Sequence, residues 1–89
     1  MNRFLHVGFD SYVNIKKIIA ISPCDANKIR REMQKRGLDK NSSMYWNACG
    51  GKEMRTVILM DDGMIISSSL NADTLVNRYE DMIRGGSVK

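Results

Sequence analysis

The chain predicts a small single α+β domain with a mainly antiparallel sheet and two helices, in the order β-β-β-α-β-β-α. Three observations lead there. Short runs rich in β-branched and aromatic residues fill the stretch from Phe4 to Ile21. An Asp62-Gly63 pair divides the apolar runs Val57-Ile58-Leu59-Met60 and Met64-Ile65-Ile66. Two segments, one after Ser22 and one after Asn71, carry apolar residues at helical spacing. At 89 residues there is room for one domain with a modest core. It is expected to span 1–85, with a long loop at 38–51 and a short tail at 86–89.

The first strands are read from Phe4, Leu5 and Val7, from Tyr12, Val13 and Ile15, and from Ile18, Ile19 and Ile21, divided by Gly8-Phe9-Asp10-Ser11 and by Lys16-Lys17. Ser22-Pro23-Cys24-Asp25 then opens a helix. Ser22 suits the N-cap, Pro23 the first helical position, and Asp25 the positive end of the helix dipole. Gly37 closes it. Within this helix Ala26, Ile29 and Met33 share one face, while Lys28, Arg31 and Lys35 share the opposite one. No periodicity survives from Leu38 to Gly51, where Met44-Tyr45-Trp46 interrupts a run of Asn, Ser and Gly, so this stretch reads as a loop.

The Asp62-Gly63 pair is a tight-hairpin signal of the kind whose two central residues both take positive φ. The last helix starts at Asn71 as N-cap, with Leu70 and Leu75 stapled across it. Its stripe is Leu75, Val76, Tyr79, Met82 and Ile83, and Gly85-Gly86 stops it. Val57 to Met60 and Met64 to Ile66 are apolar at every position, so both faces of that hairpin are expected to be buried. Either a second subunit supplies part of the cover or the sheet curls over itself.

Charge is distributed unevenly. Between Lys16 and Lys40 lie eight of the fourteen basic residues, against only Asp25, Glu32 and Asp39, so this segment holds +5 of a molecule whose net charge is +4. A local basic face points to a polyanion. It is equally what the solvated side of an amphipathic helix looks like.

Other classes lack their parts. No apolar run nears the roughly 18 residues of a membrane span, and the N-terminus is too polar for a secretory signal, which leaves the cytoplasm as the expected address. Cys24 and Cys49 form no C-x-x-C pair and are expected to be free thiols, with no metal and no cofactor. There is no nucleophile elbow, metal-ligand cluster or dinucleotide fingerprint, so neither an enzyme nor a small-molecule substrate is expected. Asp61-Asp62 is accounted for by turn chemistry. His6 reads as a core or interface histidine.

In their order and spacing, several segments resemble the RemA/RemB family of bacterial regulators associated with biofilm matrix genes. They are His6-Val7-Gly8-Phe9, Ile19-Ala20-Ile21-Ser22-Pro23 leading into a helix with Arg30-Arg31, Gly51-Lys52-Glu53-Met54-Arg55-Thr56-Val57, and the Asp62-Gly63 hairpin with Met64-Ile65-Ile66-Ser67-Ser68. The resemblance implies a sequence-tolerant regulator that binds double-stranded DNA as a ring-like homo-oligomer. It also implies that a basic residue ahead of the third strand, here Lys17, and a Gly-Arg-Arg-x-Arg segment, here represented by Lys52 and Arg55, contact DNA.

Glu53 stands where the family pattern tends to have its second arginine, a change of two charges. The 38–50 loop is also longer than in the RemA pattern. The expected phosphate contacts are therefore Lys17, Arg30, Arg31, Lys52 and Arg55, with Lys28 and Lys35 as secondary candidates. Tyr45 and Trp46 either stack on bases, fill a subunit contact or anchor the loop. The competing reading is an oligomeric scaffold that binds protein through its apolar surface and does not bind DNA.

Overall fold

The computed structural model describes residues 3–39 and 41–84. Lys40, the Gly85-Gly86 stop and the 86–89 tail lie outside these residues. The elements are β1 (Phe4–Gly8), β2 (Ser11–Asn14), a 3-10 turn (Ile15–Lys17), β3 (Ile18–Pro23), α1 (Ala26–Lys35), β4 (Tyr45–Ala48), β5 (Thr56–Met60), β6 (Ile65–Ser68) and α2 (Ala72–Ile83). The expected class and order hold, with one strand more than the sequence revealed.

That strand is β4, inside the stretch expected to be a loop. It runs parallel to β6, Tyr45 opposite Ile65 and Ala48 opposite Ser68. Four residues that do not alternate, set among Ser, Asn and Gly, carry no strand signature of their own. The strand exists because β6 offers a free edge and because the buried Ala48 joins the core. β1 and β2 form a separate antiparallel hairpin, and the main sheet has the order β3-β5-β6-β4, antiparallel except at β4.

Three layers follow from this topology. On one face of the main sheet α1 lays Ile29 and Met33 against Val57 and Ile65, with Leu38, Tyr45 and Met54 around them. On the other face the β1–β2 hairpin and α2 bring Leu5, Val7, Val13 and Leu75 against Ile58, Met60 and Ile66. Successive residues of β5 thus face opposite covers, which is why the run is apolar throughout. Both covers come from the same chain. The unbroken apolar run therefore needs no second subunit to explain it.

Two local expectations shift. β3 continues through Ser22 and Pro23, which oppose Val57 and Thr56, and the Cys24 amide still donates to the Arg55 carbonyl at 2.9 Å. The helix cannot begin until Asp25, whose Oδ1 accepts from the Lys28 amide at 2.8 Å, so Asp25 and not Ser22 is the N-cap. Pro23 is accommodated because β3 is an edge strand. In the β5–β6 hairpin only Gly63 has positive φ, at 91°. The Met60 carbonyl accepts from the Gly63 amide at 3.0 Å and the Met60 amide donates to the Met64 carbonyl at 3.0 Å. This is a three-residue loop, a turn followed by a left-handed glycine, and not the two-residue turn expected.

Other signals are read correctly. α1 ends in paired bonds from Gly37 to Gln34 at 3.1 Å and from Leu38 to Met33 at 2.8 Å, with Leu38 packed in the Met33 cluster. Asn71 is the α2 N-cap, and Leu70 packs with the buried Leu75 in one cluster.

Candidate nucleic-acid interface

α1 displays the cations that its pattern promises. Lys28, Arg30, Arg31 and Lys35 are exposed, while Ile29 and Met33 are buried. Lys28, Arg31 and Lys35 stand clear of the packed face. Arg30 instead borders a groove of about 520 Å³ between α1 and β4, beside Met33, Leu38, Tyr45 and Met54.

Lys52 and Arg55 lie on the connection from β4 to β5. This segment passes the C-terminal end of β6, where the Arg55 amide donates to the Ser68 carbonyl at 2.9 Å, and Lys52 closes a turn by donating to the Cys49 carbonyl at 3.1 Å. Gly50 carries the Phe9 ring, whose atoms would lie 2.8 Å from a Cβ added there. The glycine thus serves an aromatic contact, whereas Gly51 faces open space. Arg55 shares a cleft with Pro23, Asn71, Ala72 and Asp73, at the start of α2. Asn71, the α2 N-cap, makes no side-chain cap bond there.

Lys17 lies elsewhere. It ends the turn before β3, and its carbonyl accepts from the Asp61 amide at 2.8 Å, beside the hairpin loop. β3 has six residues and separates Lys17 from the Arg55 end; at about 3.3 Å per residue that is roughly 17–20 Å. The structure brings Lys52 and Arg55 onto one short segment and fastens α1 to it through the Cys24–Arg55 bond. It does not bring Lys17 to them.

All seven of these cations are exposed. Among the described residues the ion pairs are Arg36 with Glu32 at 3.4 Å and Arg84 with Glu80 at 3.8 Å, so none of the seven is held by a carboxylate. Two other arginines are used internally: Arg78 donates to the His6 carbonyl at 3.3 Å, and Arg3 donates to the Met82 carbonyl. Glu53 is exposed between Lys52 and Arg55. It sits within the cationic segment and weakens its field.

The aromatic residues divide by role. The Tyr45 hydroxyl meets the Ser67 hydroxyl at 2.8 Å, so Tyr45 anchors its segment. Trp46 stays exposed, with its indole N–H donating to Ser11 Oγ at 3.0 Å. The His6 ring lies 5.0 Å from that of Tyr12, tilted by 48°. Cys24 and Cys49 are free thiols, both pushed above their ordinary value, in each case chiefly by burial. Neither has the lowered value of an activated nucleophile.

Exposed Phe9 and Tyr12 were not singled out from sequence. Phe9 stands in the divider between the first two strands and Tyr12 within the second, and the β1–β2 hairpin leaves both exposed.

Known proteins resemble this chain in sequence. Residues 4–79 match the model of the RemA-like family, described as extracellular matrix regulatory protein A-like. A protein of Coprothermobacter proteolyticus that carries the name "Putative regulatory protein" is 38% identical over 78 residues, covering 88% of this chain and 71% of the relative. One of Lachnoclostridium phytofermentans with the same designation is 32% identical over 78 residues, 88% of this chain and 82% of the relative. A Bacillus cereus protein so named is 32% identical over 76 residues, 85% and 84% respectively.

Proposed function

The chain belongs to the RemA-like family of regulatory proteins, and on that premise we propose that it is a cytoplasmic, non-enzymatic transcription regulator that binds double-stranded DNA as a homo-oligomer, ring-like in form. The observation that carries this reading is the set of seven exposed cations without a carboxylate partner among the described residues, four of them on one helix fastened to the Lys52–Arg55 segment. Lys17, Arg30, Arg31, Lys52 and Arg55 are the primary phosphate contacts, with Lys28 and Lys35 in support.

Each neutralised phosphate steepens log K against log salt by about 0.9. One copy with a few scattered cations binds weakly, and repetition in an assembly multiplies the contacts without any base being read. The distance between Lys17 and Arg55 favours repetition too, since different copies can present each cation to one duplex. Glu53 tempers affinity by placing an anion among the contacts.

The test is binding to a long and a short duplex at two salt concentrations, with the mass in solution measured on the same sample. Tight, length-dependent and salt-steep binding by a multimer is expected. A multimer indifferent to DNA would instead favour a protein-binding scaffold, a reading motivated by the exposed Phe9, Tyr12 and Trp46.

A further inference from the structure

Where the β1–β2 hairpin meets β4 and β6 there is a cavity of about 330 Å³, and none of the seven candidate DNA contacts borders it. Buried Val13 and Ile66 give it an apolar floor, and the exposed rings of Tyr12 and Trp46 stand at its sides. Asp10 is the only formally charged residue that lines it. Trp46 is held by its edge: the indole N–H donates to Ser11 Oγ at 3.0 Å, and that hydroxyl in turn donates to the Phe9 carbonyl at 3.2 Å. With the N–H so engaged, what Trp46 offers a ligand is its face, the negative side of the ring quadrupole. Tyr12 has its ring contact with His6, at 5.0 Å, which leaves the space between Tyr12 and Trp46 open. The Asp10 carboxylate has no ion pair among the described residues. Arg78, which reaches the same hairpin, is turned onto the His6 carbonyl at 3.3 Å.

From this arrangement we infer that the cavity is a binding site for a small organic cation, a quaternary or alkylated ammonium, which Tyr12 and Trp46 receive on their faces and Asp10 through its charge. Two electron-rich rings and one carboxylate above an apolar floor match a positive charge coated with methyl groups. A metal ion is unsuited, because it needs several oxygen or nitrogen ligands, and among the described residues no group of three His, Cys, Asp or Glu could hold one. A nucleotide is unsuited too, since Asp10 would repel the phosphate that accompanies a base stacked on Trp46. The volume lies at the lower end of the roughly 300–1,000 Å³ that small-molecule sites occupy, which favours a compact free cation. The inference does not rest on the DNA reading, because the two use different side chains.

Trp46 is the only tryptophan in the chain, so its fluorescence reports on the cavity directly. Titration of the wild-type protein with choline at constant ionic strength is expected to change that fluorescence saturably, with calorimetry on the same sample as a second readout. The neutral isostere of choline, with a tert-butyl group in place of the trimethylammonium, should bind roughly tenfold more weakly or worse. Tyr12→Leu should weaken choline binding by roughly two- to fivefold, while Tyr12→Phe, which keeps the ring face, should bind as the wild type does. Asp10→Asn, whose side chain tolerates the φ of 53° at this position, should weaken it by up to roughly fivefold, and by less at high salt. Circular dichroism checks the folding of each variant. Equal affinity for choline and its isostere overturns the inference, as does unchanged affinity in folded Tyr12→Leu and Asp10→Asn. So does the absence of both fluorescence and heat signals with choline and with tetramethylammonium. A trimethyllysine peptide that binds where those free cations do not also overturns it, and marks a protein-docking surface instead.

Discussion

The hydroxyls of Tyr45 and Ser67 meet at 2.8 Å, and this bond pins β4 to the neighbouring β6 in a segment that otherwise has the composition of a loop. The buried Cys49 thiol also donates to Ser67 Oγ, at 3.9 Å. A short polar cluster thus stands where a four-residue strand has few apolar residues to hold it. Removing the phenol oxygen in Tyr45→Phe keeps the ring but takes away one partner of a fully buried hydroxyl. The expected cost is about 1–2 kcal/mol. Chemical denaturation checks it, and an unchanged midpoint would mean that packing alone holds β4.

Gly8 makes a backbone approach to the same strand. A Cβ added there would lie 2.3 Å from the Ala48 carbonyl oxygen, and φ is 143°, a region other residues rarely adopt. Gly8→Ala should therefore push the β1–β2 hairpin away from β4 and destabilise the fold by about 1–3 kcal/mol. Thermal unfolding reads this directly; a variant as stable as wild type would contradict the close approach.

Arg55→Ala and Lys52→Ala are expected to weaken DNA binding on every duplex tested, and to flatten the salt slope by about 0.9 for each phosphate that is no longer neutralised. Both side chains are exposed, so the fold should be intact. Unaltered affinity in either folded variant would remove that residue from the interface.

Glu53→Arg changes the local charge by two units between two exposed cations. It should strengthen DNA binding at low salt and lose most of that gain at high salt, because exposed charges are screened over about a Debye length. Titrations at two ionic strengths decide it. No gain at low salt would show that Glu53 lies away from the DNA.

Alkaline pH should destabilise the protein partly through its thiols. Burial lifts Cys49 above its ordinary 9.0, outweighing the opposing Ser67 bond, and burial followed by the Asp25 charge lifts Cys24. A raised folded-state value means the contribution is intact below pH 9.0 and is lost as pH rises through the folded value. Denaturation midpoints on either side of that pH should fall further for wild type than for a Cys24→Ala, Cys49→Ala variant. Equal losses would assign the alkaline change to other groups.

What the sequence determined by itself is what short-range physics writes into neighbouring residues. The stripe of α2 with Asn71 as its cap, the stop at Gly37, the basic face of α1 and the place, though not the type, of the turn between β5 and β6 all rest on spacings of a few residues. The family is legible too, since its segments keep their order along the chain.

The tertiary structure decided whatever depends on partners far apart in sequence. β4 forms because β6 has a free edge. Asp25 caps α1 because β3 keeps its ladder with β5 through Pro23, and the local preference of Ser22 cannot compete with those bonds. The apolar run of β5 is covered on both sides by its own chain, a fact settled only when α1 and the β1–β2 hairpin pack on opposite faces. The same packing separates Lys17 from Lys52 and Arg55 by the length of a strand. Spacing along a chain tells which side of an element a residue faces, but only long-range pairing sets which elements, and hence which charges, share a surface.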